Sequence, residues 1–227
     1  PFNSVVAYAQ IPISNAAGLM ECSPANTYPG LTKGETAASL RQAKPEANAY
    51  IRVQTPDDDQ GTVMARYAYA SLKLRRAFVV DDKATFGAGI AATFAKEWQR
   101  LGGKIVGRAK LVDHTLSVKV AALKASKADA VYFGGVTSDG ADVLRAAMIA
   151  AGMATTPLLS GDGIQDGRGS DPGSYLNMVD AAKERAYSSV AFQRNLPDSA
   201  AFAAAYRQAF GTDPGAYSAA AYGCAQV

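Results

Sequence analysis

Two short stretches of the sequence hold the residue types that could do chemistry. In "ECSPANTYPGLT", Ser23, Ala25 and Thr27 follow a short apolar run and precede a turn at Pro29-Gly30. Hydroxyls and backbone N–H groups in such a loop can bind a carboxylate. Ser4 opens a helical pattern after Pro1, Phe2 and Asn3, and adds a hydroxyl and the positive end of a helix dipole. Taken alone, "SPANT" reads equally well as a plain Ser/Thr or Asx turn. In "LLSGDGI", Asp162 comes directly after an apolar strand, between Gly161 and Gly163, and glycines there let the backbone approach something closely. A carboxylate at a strand end can pair with a ligand ammonium. It can also be an ordinary turn or capping aspartate.

Catalytic signatures are missing. His114 is the only histidine, and no HExxH, GxSxG or P-loop pattern occurs. His114 reads as a polar loop residue after the strand that ends near Val112. "FGAGIA" places two glycines at a helix start, but it lacks the third glycine and the acidic residue that mark a dinucleotide site. Its glycines read as a tight turn and close packing. Asp57, Asp58 and Asp59 read as a helix cap with solvated charge. No cofactor and no metal are expected.

Composition narrows the class further. The chain has 227 residues, 48% of them hydrophobic, enough for one large domain or two modest lobes. A formal charge of +3 with Lys and Arg spread along the chain lacks the concentrated basic face that nucleic acid requires. No apolar run reaches the length of a membrane span. No signal peptide is visible, and the chain begins abruptly at "PFNSVV". Cys22 and Cys224 lack metal-ligand spacing and read as two thiols rather than a disulfide.

These residues need elements to position them. Ser4 to Ala17 predicts a helix with Ser4 as N-cap, Gly18 as stop and Pro12 as a kink or late start. Strands are expected at Leu19 to Cys22 and Tyr50 to Gln54, with a helical turn near Ala37 to Gln42. A helix follows from about Gln60 to Leu72. Then "RRAFVVDD" predicts a buried strand, and strands and helices alternate through "KIVGRAKL", "SVKVAALKAS", "ADAVYFGG", "SDGADVLRAAMIAAGM" and "TPLLSGDG". "PGSYLNMVDAAKE" predicts a helix, "AYSSVAF" a strand, and the tail two helices, Ser199 to Phe210 and Tyr217 to Val227. Alternation of this kind implies α/β architecture with parallel sheets. Ligands of such sheets bind beyond the carboxyl ends of strands. That selects the loops Ser23 to Asn26, Asp81 to Gly87, Gly134 to Asp139 and Gly161 to Asp166.

In order along the chain, "PFNSVVAYAQIPISNAAGLMECSPANTYPGLT", "RVQTPDDDQG", "DDKATFGAG", "VYFGG" and "GDG" after a strand resemble one family. It is that of the type I periplasmic solute-binding proteins of the leucine/isoleucine/valine-binding kind, receptors of branched-chain amino acid ABC transporters. The resemblance implies a two-lobed fold with parallel Rossmann-like sheets flanked by helices and the ligand between the lobes. It also implies that the chain is an internal portion with lobe one incomplete. Residues 1–53 would be the end of lobe one, 54–189 lobe two, and 190–227 a return into lobe one.

The same resemblance implies roles residue by residue. Ser4, Ala25 and Thr27 would grip a ligand α-carboxylate, with Asn3 and Ser23 beside them. Phe86 would line the cleft from lobe two, and Asp162, where relatives often carry glutamate, would receive the α-ammonium. Val136 stands where many relatives have an aromatic, which loses a contact or widens the pocket. The implied function is a non-catalytic, periplasmic or extracytoplasmic receptor that passes an amino acid to an ABC permease. Three rivals remain: a sensor of the same fold binding an amide or another small polar molecule, an enzyme on a Rossmann-like sheet, and a ligand-free structural fragment. For the isolated portion, an open sheet edge predicts weak or no binding.

Overall fold

The computed structural model describes residues 1–166, 172–180, 184–191, 199–215 and 217–226. It divides into two compact units, one of residues 1–56 and 191–227, the other of residues 57–190.

In the first unit, helix α1 (Ser4–Ala17) precedes strand β1 (Glu21–Ser23), helix α2 (Gly34–Ser39) and strand β2 (Tyr50–Arg52). Strands β1 and β2 pair in parallel, Cys22 opposite Ile51. A small core of Ala7, Ile11, Leu31, Leu40 and Tyr50 gathers the apolar stripe of α1 onto them. Asn3 caps α1, its side chain accepting from the Val5 N–H, so the expected cap is displaced by one residue. Ser4 is the first helical residue and is buried. Pro12 does not break the helix. Its missing N–H costs one hydrogen bond, which α1 absorbs while running on to a left-handed Gly18.

Helices α8 (Ser199–Phe210) and α9 (Ser218–Ala225) also belong to this unit. Helix α9 lies against β1, and Cys224 forms a disulfide with Cys22, their Cα atoms 5.4 Å apart. The thiol expectation is therefore corrected. The two cysteines are separated by 202 residues, so only the fold brings them together.

The second unit is built on a six-stranded sheet. Its order is β5 (Thr115–Leu116), β4 (Lys104–Val112), β3 (Arg76–Asp81), β6 (Ala130–Gly134), β7 (Leu158–Ser160) and β8 (Ala186–Ser188). All neighbours are parallel except β4 and β5. Those two are joined at Asp113 and His114, both with positive φ, as a tight hairpin turn requires. His114 is thus an exposed turn residue.

Side chains of the central strands alternate between two cores, as a pleated strand dictates. Phe78, Val80, Val131, Phe133 and Leu158 pack on one face with Leu123 of α5 (Val120–Ala125) and Leu144 and Met148 of α6 (Ala141–Ala150). Val79, Tyr132 and Leu159 face the other way, against Met64 of α3 (Asp57–Ala70) and Ile90, Phe94 and Trp98 of α4 (Thr85–Arg100). Phe94 stacks on Tyr132 and on Trp98. Each such fully buried side chain contributes about 1.5–3 kcal/mol by leaving water.

Three expectations change in detail. Helix α3 starts at Asp57 rather than Gln60, and Asp57 is fully buried instead of solvated. The helix expected over "PGSYLNMVDAAKE" is only α7 (Tyr175–Met178), and residues 181–183 of that stretch lie outside the described residues. The strand expected over "AYSSVAF" is described as β8 alone, and its Phe192 is likewise outside.

Candidate functional site

In the first unit, the loop leaving β1 is held by its own hydroxyl. Ser23, wholly buried, donates to the Pro1 carbonyl (2.8 Å) and accepts from the N–H groups of Ala25 (3.3 Å) and Asn26 (2.9 Å). That geometry is a Ser turn. The turn and site readings of "SPANT" are therefore compatible, because Ser23 makes the turn and the residues after it are what the turn presents.

Those residues are pinned from several sides. Asn26 donates to the Phe2 carbonyl (2.8 Å) and accepts from the Tyr50 hydroxyl (2.9 Å). Burial pushes that Tyr50 hydroxyl up to about 12. Gln54 donates to the Pro24 carbonyl (2.6 Å). Arg52 donates to the Tyr28 carbonyl (2.7 Å) and to the Thr32 hydroxyl. Ser4 accepts from the Tyr28 N–H (3.4 Å), which brings the start of α1 to the loop. Ser4, Ser23, Ala25 and Thr27 thus assemble in one buried group, with Asn3 exposed at its edge. A cavity of about 360 Å³ lies on this unit too, lined by Thr32, Arg41, Asn48 and Arg52 among others, and includes none of those five residues.

The sequence reading overlooked Asn26 and Tyr50. Their spacing of 24 residues carries no local signal. An Asn in a turn after a strand reads as turn chemistry until the strand that faces it is known.

In the second unit, Phe86 stands in the first turn of α4, and Asp162 opens the short turn after β7. Both are buried. The loops that carry them touch: a Cβ on Gly163 would run into the Gly135 carbonyl and lie 2.9 Å from the Phe86 ring. Thr137 donates to the Gly163 carbonyl (3.4 Å), and Val136 packs half-buried against the core that includes Phe86. So this unit gathers Phe86, Val136 and Asp162 at the carboxyl ends of β3, β6 and β7.

Behind them lies a polar group that the sequence did not suggest. Tyr132 is fully buried, and Gln60, also buried, donates to Asp57 (3.2 Å). Burial, reinforced by the negative charges of Asp57 and Asp162, holds the Tyr132 phenol well above its ordinary range. No group of three or more metal-ligating side chains occurs among the described residues.

The periplasmic binding protein family profile matches residues 2–227. The chain belongs to that family. It is similar to the Leu/Ile/Val-binding protein BraC3 of Rhizobium johnstonii, with 30% identity over 85% of this chain and 49% of the relative. Its fold is that of the leucine-binding protein LivK of Thermotoga maritima, with a TM-score of 0.77 and 22% identity, covering 100% of this chain and 60% of that one. A solute-binding protein of an R. palustris ABC transporter, crystallised with 4-hydroxybenzoate, shares the fold at a TM-score of 0.73 and 16% identity, over 100% of this chain and 58% of that one. The chain spans about half the length of the curated relatives it matches. No described helix is long and apolar enough to cross a membrane.

Proposed function

We propose that this chain is the ligand-gripping part of an extracytoplasmic receptor that captures an amino acid, branched-chain or related, for an ABC permease. The observation that carries this reading is the buried Ser4–Ser23–Ala25–Thr27 group within a chain of the periplasmic binding protein family. Small hydroxyls, fixed N–H groups and a helix N-terminus suit a carboxylate without a counter-charge. Asp162 suits the ammonium, and Phe86 and Val136 an apolar side chain. Residues 1–53 and 190–227 would then act as the parts of lobe one, and 54–189 as lobe two. Binding would draw the lobes together by a hinge motion, and the permease would recognise the closed form.

Isothermal calorimetry on the full-length protein that contains this chain, with leucine, isoleucine, valine and 4-hydroxybenzoate, tests this. One of the amino acids should bind, and Asp162→Ala should weaken it at least tenfold, the size of one lost charge-assisted hydrogen bond (~1.5–3 kcal/mol). A second reading, an aromatic acid as ligand, draws on the fold shared with the 4-hydroxybenzoate receptor. It predicts binding of 4-hydroxybenzoate alone, unaffected by Asp162→Ala.

A further inference from the structure

The first unit carries a cavity that the candidate grip does not use. Its volume is about 360 Å³, and every residue lining it lies within positions 32–56. That is the small end of the range for ligand cavities, roughly 300–1,000 Å³. The guanidinium groups of Arg41 and Arg52 line it, together with Thr32, Asn48 and Gln54. The other lining residues are uncharged, so the wall holds two positive charges and no carboxylate.

The two guanidinium groups are anchored on consecutive residues of one turn. Arg52 donates to the Thr32 hydroxyl and, a few residues earlier, to the Tyr28 carbonyl (2.7 Å). Arg41 donates to the Leu31 carbonyl (3.4 Å), and its Nε–H is buried without an acceptor. Gln54 is buried and held by the Pro24 carbonyl (2.6 Å). These bonds fix the cationic wall before any ligand arrives.

The carboxylates of residues 1–56 are committed elsewhere. Glu21 is buried and accepts from the Ser14 hydroxyl (2.7 Å). Glu35 and Glu46 are exposed and do not line the cavity. Arg41 makes no ion pair among the described residues. A half-buried cation with an unmet donor calls for an anionic partner. Guanidinium N–H groups match the paired oxygens of a phosphate or carboxylate, and the Asn48 amide adds a neutral donor.

We propose that this cavity is a binding site for a small oxyanion of two or more negative charges, a phosphate or a polycarboxylate, held between Arg41 and Arg52. The site does not rest on the receptor reading above, because the cavity includes none of the residues assigned to the amino-acid grip.

Calorimetry and thermal melting of the full-length protein that contains this chain test this, with inorganic phosphate, sulfate and citrate as probes and chloride as control. At least one of the three should bind saturably and raise the melting temperature, as a ligand of the folded state does. Chloride should do neither. Arg41→Gln should weaken the binding about tenfold, the size of one lost charge-assisted hydrogen bond. Asn48→Asp serves as a second variant should the first fail to fold. Asn48 is exposed, and a carboxylate placed there repels the anion, so binding should be lost. Arg52 is left in place because it also holds the Tyr28 carbonyl. The strongest-binding probe tells phosphate chemistry from polycarboxylate chemistry. Absence of saturable binding by all three probes, or binding equal to the parent's in the folded variants, would overturn the site.

Discussion

At the scale of single residues, Asn26 matters more than its place in a turn suggests. Its amide joins three segments, donating to the Phe2 carbonyl and accepting from Tyr50, while its own N–H goes to Ser23. Replacing it by alanine takes from the buried Tyr50 phenol its hydrogen bond to the Asn26 amide. Urea unfolding of Asn26→Ala should therefore show a loss of about 1–3 kcal/mol, the cost of one buried polar group that loses its partner. The same change should weaken ligand binding, because Ala25 and Thr27 flank the residue. By contrast Asn3, exposed at the start of α1, acts as a helix cap, its side-chain Oδ1 accepting from the Val5 N–H (3.5 Å).

At the scale of elements, the loops of the second unit are set by glycines that meet backbone to backbone. Gly87 and Gly134 meet reciprocally, a Cβ on either running into the other's carbonyl, which is why "FGAGIA" looks like a phosphate loop while serving as a packing joint. Gly134→Ala should lower stability by about 1–3 kcal/mol, the usual range for overpacking a rigid site. Gly223, inside α9 with nothing within 4 Å of its would-be Cβ, makes the opposite case. Gly223→Ala should raise the melting temperature, by the roughly 0.5–1 kcal/mol that separates the two residues in a helix. Thermal denaturation of both variants checks the sign. Element positions were largely readable, since β3, α4, β4, β6 and α6 follow the expected stretches closely. Asp57 was not. Three consecutive aspartates before a helix look solvent-facing, and only the packing of α3 shows that the first of them is buried.

At the scale of the whole molecule, the disulfide ties α9 to the strand that delivers the candidate carboxylate grip. Closing a loop of 202 residues restricts the unfolded chain strongly. Cys22→Ser should cost the first unit about 2–5 kcal/mol. Hydrogen exchange should show that loss at Ile11, Leu31 and Tyr50, and leave the Phe94–Tyr132–Trp98 core of the second unit unchanged. Equal loss in both cores would mean that the two units unfold as one.

By itself the sequence determined the order of strands and helices, the burial of the central strand and the family. These depend on neighbours within a few residues, where periodicity and turn chemistry act directly. It also marked Asn3, Ser4, Ser23, Ala25, Thr27, Phe86 and Asp162, of which Ser4, Ser23, Ala25, Thr27 and Asp162 stood on chemical grounds shared with ordinary turns. Only the tertiary structure decided the Cys22–Cys224 bond, the Asn26–Tyr50 clasp, the burial of Asp57 and the meeting of Gly87 with Gly134. Each is a contact between residues that are not sequence neighbours, or a change of environment imposed by one. No local pattern encodes such contacts, because what brings the partners together is the burial of apolar faces elsewhere in the chain.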